Sequence, residues 1–156
     1  MTRCRNALKI LRGAAVILIK ASGIFRQRAL PAGCCNQNGV KMNLDEAIAK
    51  HAEWKVKFRS AIGKKEKLDA SAISVDNRCD LGKWLHGEGK MAHGAKAEYR
   101  TLVSRHAEFH KAAGKVAEAI NAGKYDVAEK MLAPATEYSA ASSNVAAAIT
   151  SLKKHV

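Results

Sequence analysis

Residues 95–122 carry a continuous apolar stripe with helical spacing, and this stripe constrains the fold more than any other feature of the chain. Apolar or imidazole side chains recur every three or four positions from Tyr99 to Ile120, so they lie on one face of an α-helix. Gly123 then ends the pattern. No part of the chain alternates long enough with the period of two that a sheet needs, so this face must pack against other helices.

Two further long helices are predicted from the same periodicity. The first runs over residues 44–63 and begins after Asn43, a residue type that caps helix N-termini. The last runs over residues 125–153, where Pro134 predicts a kink in the first third of the helix.

The periodicity is weak between the first helix and the stripe. Residues 64–80 are predicted as irregular or weakly helical, residues 81–86 as a short helix and residues 87–94 as a glycine-rich loop. Long helices with brief links predict an all-α protein. We expect an antiparallel four-helix bundle with a short extra helical segment that carries Cys79.

The positive charge of the chain is concentrated outside this predicted bundle. Eight of the 27 Lys and Arg residues lie in residues 1–41, which contain none of the 14 Asp and Glu residues. Residues 42–156 are therefore only mildly basic, with 19 basic and 14 acidic side chains. Because the bundle also shows no surface of interleaved aromatic and basic residues, we expect no nucleic-acid binding.

Composition changes abruptly at Met42, which divides a basic N-terminal extension, residues 1–41, from a domain at residues 42–156. The apolar run at residues 14–19 is shorter than a signal-peptide core and too short to span a bilayer. We expect the extension to be disordered or absent from the native protein, with Met42 as the natural start. The alternative is a basic arm that contacts anionic membranes.

Cys79 is the only cysteine in residues 42–156. It has no partner for a disulfide within the domain, which indicates a reducing compartment, and we expect a cytoplasmic protein. Its neighbour Arg78 is expected to favour the thiolate form of the cysteine.

Four residues are candidates for a metal site. His106 and His110 lie one turn apart on one helix face, and His51 lies on the apolar stripe of the first helix. Burial of these imidazoles without a metal would leave polar nitrogens unpaired. Together with Cys79 they offer three nitrogens and one thiolate, which suits a closed tetrahedral Zn²⁺ site. The alternatives are a coincidence of core residues, or a site in which His86 substitutes for one ligand.

Three sequence blocks, in this order, resemble the chemoreceptor zinc-binding (CZB) domain of bacteria. They are HAEWK at 51–55, NRCDLGKWL at 77–85 and HAEFH at 106–110, and the resemblance extends from Met42 to about Val156. It implies a four-helix bundle and a homodimer. It also implies a zinc ion held by His51, Cys79, His106 and His110.

The resemblance implies a regulatory role as well. Members of this family are attached to chemoreceptors and diguanylate cyclases, where zinc occupancy or oxidation of the cysteine, for example by hypochlorous acid, alters the output. A chain of 156 residues leaves no room for a receptor coiled coil or a cyclase domain. We therefore expect a stand-alone member that acts on chemotaxis or cyclic-di-GMP signalling through such a partner.

Three other functions stay open on the residues alone. Zinc could be a purely structural staple in a helical adaptor that senses nothing. A zinc hydrolase needs an open coordination position and a general base, and four protein ligands fill a tetrahedron, so we expect no enzyme. The last alternative is a metal-free adaptor bundle, which a zinc titration would exclude.

Overall fold

The computed structural model describes residues 42–156, so the expectations for residues 1–41 lie outside the described residues. Within this range the chain forms seven helices and no strand. In chain order the helices are α1 Leu44–Lys64, α2 Ala70–Ser74, α3 Asp80–His86, α4 Glu88–His93, α5 Ala97–Asn121, α6 Tyr125–Met131 and α7 Glu137–Lys153. We call residues 70–93, which hold the three short helices α2, α3 and α4, the cysteine segment.

Helix α1 begins where the sequence predicted. The side chain of Asn43 accepts hydrogen bonds from the backbone N–H groups of Asp45 and Glu46, both at 3.1 Å. The helix continues one residue beyond the predicted end at Gly63. It ends because Lys65 adopts a left-handed conformation, with a φ of 56°, and donates its N–H to carbonyls of the last turn.

The last long helix runs opposite to the other two. The ammonium of Lys153, at the end of α7, pairs with Asp45 at the start of α1 at 2.6 Å. Lys115, late in α5, pairs with Glu137 at the start of α7 at 2.7 Å. Helix α7 is therefore antiparallel to both α1 and α5.

The cysteine segment is the fourth, broken member of the bundle. It starts beside the end of α5, where the Asn121 amide bonds both the N–H and the carbonyl of Leu68, at 2.8 and 2.7 Å. It then runs back to the start of α5. Helix α2 approaches α5 so closely that a Cβ on Gly114 would lie 2.6 Å from the Ser74 Cβ. The prediction of an all-α helical bundle is confirmed.

Two predictions for local structure are wrong. Residues 88–93, predicted as a glycine-rich loop, form α4, whereas residues 70–74, predicted as irregular or weakly helical, form the short helix α2. Helices of five and six residues are too short to display a periodicity in sequence. The predicted kinked helix over residues 125–153 is two helices, because Pro134 cannot continue the hydrogen-bond ladder and Ala135 takes a φ of 61°.

The centre of the bundle is aromatic. Phe58 of α1, Phe109 of α5 and Tyr138 of α7 are all buried, and Tyr138 lies 5.7 Å from Phe58 and 5.9 Å from Phe109 between ring centroids. Phe109 also lies 5.1 Å from the ring of His51. The three long helices therefore share one packed core, and the buried histidines of α1 and α5 lie along the edge of this core.

Candidate metal centre

His51 is held by the backbone of its own helix. The ring is buried, with 5% of its surface exposed, and Nδ1 donates a hydrogen bond to the carbonyl of Ala47 at 2.6 Å. This bond fixes the tautomer, because the proton must be on Nδ1. Nε2 is buried with no protein hydrogen-bond partner and is therefore a free electron-pair donor.

His110 on α5 is arranged in the same way. It is buried, and its Nδ1 donates to the carbonyl of Ile73 in α2 at 2.7 Å, which leaves Nε2 buried without a partner. His106, one turn earlier, is fully buried and its ring centroid is 4.6 Å from that of His110. The ring of His51 lies 5.2 Å from His106 and 5.9 Å from His110.

Cys79 lies at the N-terminus of α3 and closes the group. Its Sγ accepts a hydrogen bond from the Gly82 N–H at 3.2 Å, so the cysteine serves as the N-cap of α3. The same sulfur is 3.2 Å from His106 Nε2. The thiol group is half-buried, whereas the three imidazoles are buried.

The four predicted site residues therefore come together. One donor atom from each of the four lies within 4.8 Å of all the others. Ligands of a tetrahedral zinc ion are separated by about 3.5 Å, so small side-chain shifts bring all four to a common centre. The group consists of His51, Cys79, His106 and His110.

The buried nitrogens give an independent test of whether these residues fit a metal. Buried polar atoms are nearly always paired, yet two Nε2 atoms lie in this cluster without a protein partner. Both belong to rings whose Nδ1 is bonded to a backbone carbonyl, the usual arrangement of histidine ligands. The carbonyls of Ala47 and Ile73 were missed by sequence reasoning, because a backbone acceptor leaves no signal in the residue types.

Burial keeps the three imidazoles neutral, which is the form that binds a metal. It lowers the pKa of His51 and of His110. Burial, followed by the neighbouring rings of His110, His51 and His86, lowers the pKa of His106 to about 2. No second proton therefore competes with a metal for the free ring nitrogens at neutral pH.

The expectation that Arg78 favours a Cys79 thiolate is wrong for the protein without metal. Burial raises the pKa of the Cys79 thiol, and the backbone N–H groups of Gly82 and Leu81 oppose this only in part. Arg78 is exposed and is not among the groups that shift the thiol. A bound cation, which deprotonates a coordinating thiol, is the group that would produce a thiolate here.

Two clefts lie between α1 and the cysteine segment, and both are bordered by Cys79. One, of about 950 Å³, also contacts His51, Trp54 and Trp84. The other, of about 610 Å³, contacts His110, Trp54 and Lys57. The two tryptophans are half-buried and pack on the core while they line these clefts.

The remaining histidines of the described domain lie outside the cluster. His86, the predicted substitute ligand, is exposed and pairs with Asp76 at 2.9 Å. His93 is half-buried against Trp84, with 5.8 Å between ring centroids. His155 is exposed near the end of the chain.

The turn that presents Cys79 depends on Gly82. A Cβ at this position would lie 1.7 Å from the carbonyl oxygen of Asp76, so the backbone would have to move. We expect Gly82→Ala to lower the free energy of unfolding by about 2 kcal/mol or more. The control is Gly63→Ala in α1, where no atom lies within 4 Å and alanine should be neutral or stabilising by up to about 1 kcal/mol. Urea unfolding measures both, and equal effects would contradict the close approach.

Comparison with known proteins shows a similarity to one family. Residues 51–117 match the family model of the chemoreceptor zinc-binding domain, and this range contains all four residues of the cluster. No curated protein and no solved structure matches the chain. Among the seven helices, none combines the length and the apolar character that a membrane crossing requires. The resemblance to this family that the three sequence blocks indicated is therefore confirmed over residues 51–117.

Proposed function

We propose that the four clustered side chains bind one Zn²⁺ ion and that residues 42–156 form a regulatory domain. The domain responds to zinc availability or to oxidation of the zinc-bound cysteine, for example by hypochlorous acid. The observation that carries the proposal is the unequal setting of the ligands. The histidines are buried, two of them with Nδ1 bonded to backbone, whereas the cysteine borders both clefts. The proposed ligands are His51, Cys79, His106 and His110.

The proposed chemistry of Cys79 follows from its position at the two clefts. When bound, zinc holds the Cys79 sulfur as a thiolate, the form that oxidants attack. Hypochlorous acid transfers its hydroxyl group to this sulfur and releases chloride, which gives a sulfenic acid. The two clefts give the oxidant a route to Cys79.

The response of the chain follows from the second role of Cys79. Its sulfur caps α3 through the Gly82 N–H, so a change at the sulfur disturbs the start of that helix. The histidines lie on α1 and α5, which share the aromatic core and stay packed. We propose that the cysteine segment rearranges while the long helices persist, a local two-state element.

We propose that the domain transmits its response through a partner protein. Family resemblance favours a chemoreceptor or a diguanylate cyclase in the bacterial cytoplasm, with the domain as a homodimer. We propose no catalytic role, because all four positions of a tetrahedral zinc site would be filled by protein atoms.

A structural zinc staple is the second candidate, and the burial of all three histidines favours it. A staple should resist mild chelators and lose its fold once the metal is gone. A sensor should release zinc reversibly and remain helical.

Oxidant-driven zinc release tests the sensing function. We expect about one equivalent of hypochlorous acid to release most of the zinc, because a sulfenic acid is a weak zinc ligand. A thiol reductant should restore binding, because it converts the sulfenic acid back to the thiol. Zinc is measured with a chromophoric chelator after the oxidant is quenched. Circular dichroism should show that most helix persists.

The background must leave Cys79 as the only thiol and must lack the most exposed methionine of the described residues. Cys4, Cys34 and Cys35 are replaced by serine, and Met91, which is 83% exposed, by leucine. The matched control treats the same zinc-loaded protein with oxidant that has been quenched beforehand. Retention of zinc after several equivalents of oxidant would refute sensing by oxidation and favour the staple.

A further inference from the structure

One ion pair bridges the seam between α1 and the cysteine segment. The ammonium of Lys50 lies 2.9 Å from a carboxylate oxygen of Asp80. Within residues 42–156, no other side-chain hydrogen bond or ion pair joins α1 to residues 70–93. The rest of this seam is occupied by the two clefts that border Cys79.

The pair lies directly beside two of the proposed ligands. Lys50 precedes His51 in α1, and Asp80 follows Cys79 in the cysteine segment. The ion pair and the metal site therefore join the same two elements, side by side. Glu46, one turn earlier in α1, contacts the same ammonium at 2.9 Å. This second contact keeps the ammonium directed toward the seam.

We propose that Lys50 is a positioning residue that holds the cysteine segment against α1, so that the Lys50–Asp80 pair controls how readily Cys79 leaves the metal. When the sulfur detaches, this pair is the remaining polar side-chain link between α1 and residues 70–93. It keeps Cys79 beside the three histidines, so the sulfur rebinds before the ion escapes. The inference rests on the proposed function, in which Cys79 is the ligand that is released.

Exposure sets the size of the effect. The side chain of Lys50 is 48% exposed and that of Asp80 is 63% exposed, so water and salt screen their attraction. An exposed pair of this kind supports a change of about 2- to 5-fold in a rate or an equilibrium. The dependence on ionic strength is therefore as informative as the size of the change.

Zinc release into excess chelator tests the proposal on the full-length, zinc-loaded protein. The rate is measured at chelator concentrations where it no longer depends on chelator. At low ionic strength we expect Lys50→Gln and Asp80→Asn each to accelerate release by about 2- to 5-fold. The double variant should be no faster than the faster single variant, because both remove one interaction. Lys50→Arg, which keeps the charge, should release zinc at the wild-type rate.

Salt and a remote ion pair provide the controls. At about 0.5 M salt the wild-type rate should approach that of Lys50→Gln, whose own rate should change little. Lys153→Gln removes the Lys153–Asp45 pair, which also joins α1 to another helix but does not involve the cysteine segment, and should leave the rate unchanged. Equal rates for wild type and Lys50→Gln at low salt, or equal acceleration by Lys153→Gln, would overturn the proposal. Because no oxidant is used, failure of this test is distinct from failure of oxidant sensing.

Discussion

Replacing Cys79 by serine is expected to weaken zinc binding by about 100-fold or more while leaving the helices in place. A serine hydroxyl does not ionise near neutral pH and is a poor ligand for zinc, so the site keeps only its three imidazoles. Serine is nevertheless a good N-cap, and its oxygen can accept the Gly82 N–H that the sulfur accepts in the wild type. The substitution therefore removes the ligand but preserves the start of α3.

Competition titration against a calibrated chelator measures this loss, and circular dichroism of the metal-free proteins checks the fold. Cys79→Ala removes both the ligand and the cap, so it should lower the stability of the metal-free protein by about 1 kcal/mol more than Cys79→Ser. His86→Ala is the matched control for a neighbouring polar residue outside the cluster and should leave zinc affinity within about 3-fold of wild type. Wild-type affinity in Cys79→Ser would remove the cysteine from the proposed ligand set.

Removal of zinc from the wild-type protein is expected to lower its melting temperature by about 15 °C. A ligand present at about 1,000 times its dissociation constant stabilises the folded state by about 4 kcal/mol. For a domain of this size each kcal/mol changes the melting temperature by about 4 °C. The metal-free protein also keeps buried imidazole nitrogens without protein partners, which is a cost that the metal removes.

Differential scanning calorimetry with and without chelator checks this expectation, with zinc content measured on the same samples. Cys79→Ser should show a much smaller difference between the two conditions, because little zinc is bound at the start. An unchanged melting temperature in protein shown to have lost its zinc would contradict a role of the metal in stability. A complete loss of helix on chelation would favour the structural staple over the sensor.

Helices α1 and α5 and the histidines of the site were predictable because their signals are local. A spacing of four residues places His106 and His110 on one face, and the apolar stripe of α1 places His51 inside. The structure shows all three buried. Cys79 was predictable as a partner by its residue type and by the family resemblance, although its turn is irregular.

Features that depend on tertiary contacts were not predictable from the sequence. The bond from His110 to the Ile73 carbonyl joins residues 37 positions apart, and no periodicity encodes it. Arg78 was wrongly expected to favour the thiolate form of Cys79, because the sequence shows proximity along the chain but not the burial that raises the pKa of this thiol. The break after α6 depends on Ala135 taking a positive φ, which the sequence around Pro134 permits but does not require.

The hydrogen bonds between Asn121 and Leu68 have a consequence for how movement of the cysteine segment can be observed. It fixes one end of the cysteine segment to the end of α5, while the other end is tied by the chain to the start of the same helix. A segment held at both ends moves most in its middle and least where it is attached. A distance probe placed on the exposed Arg78, beside Cys79, should therefore report the change, whereas a probe at Leu68 should stay silent.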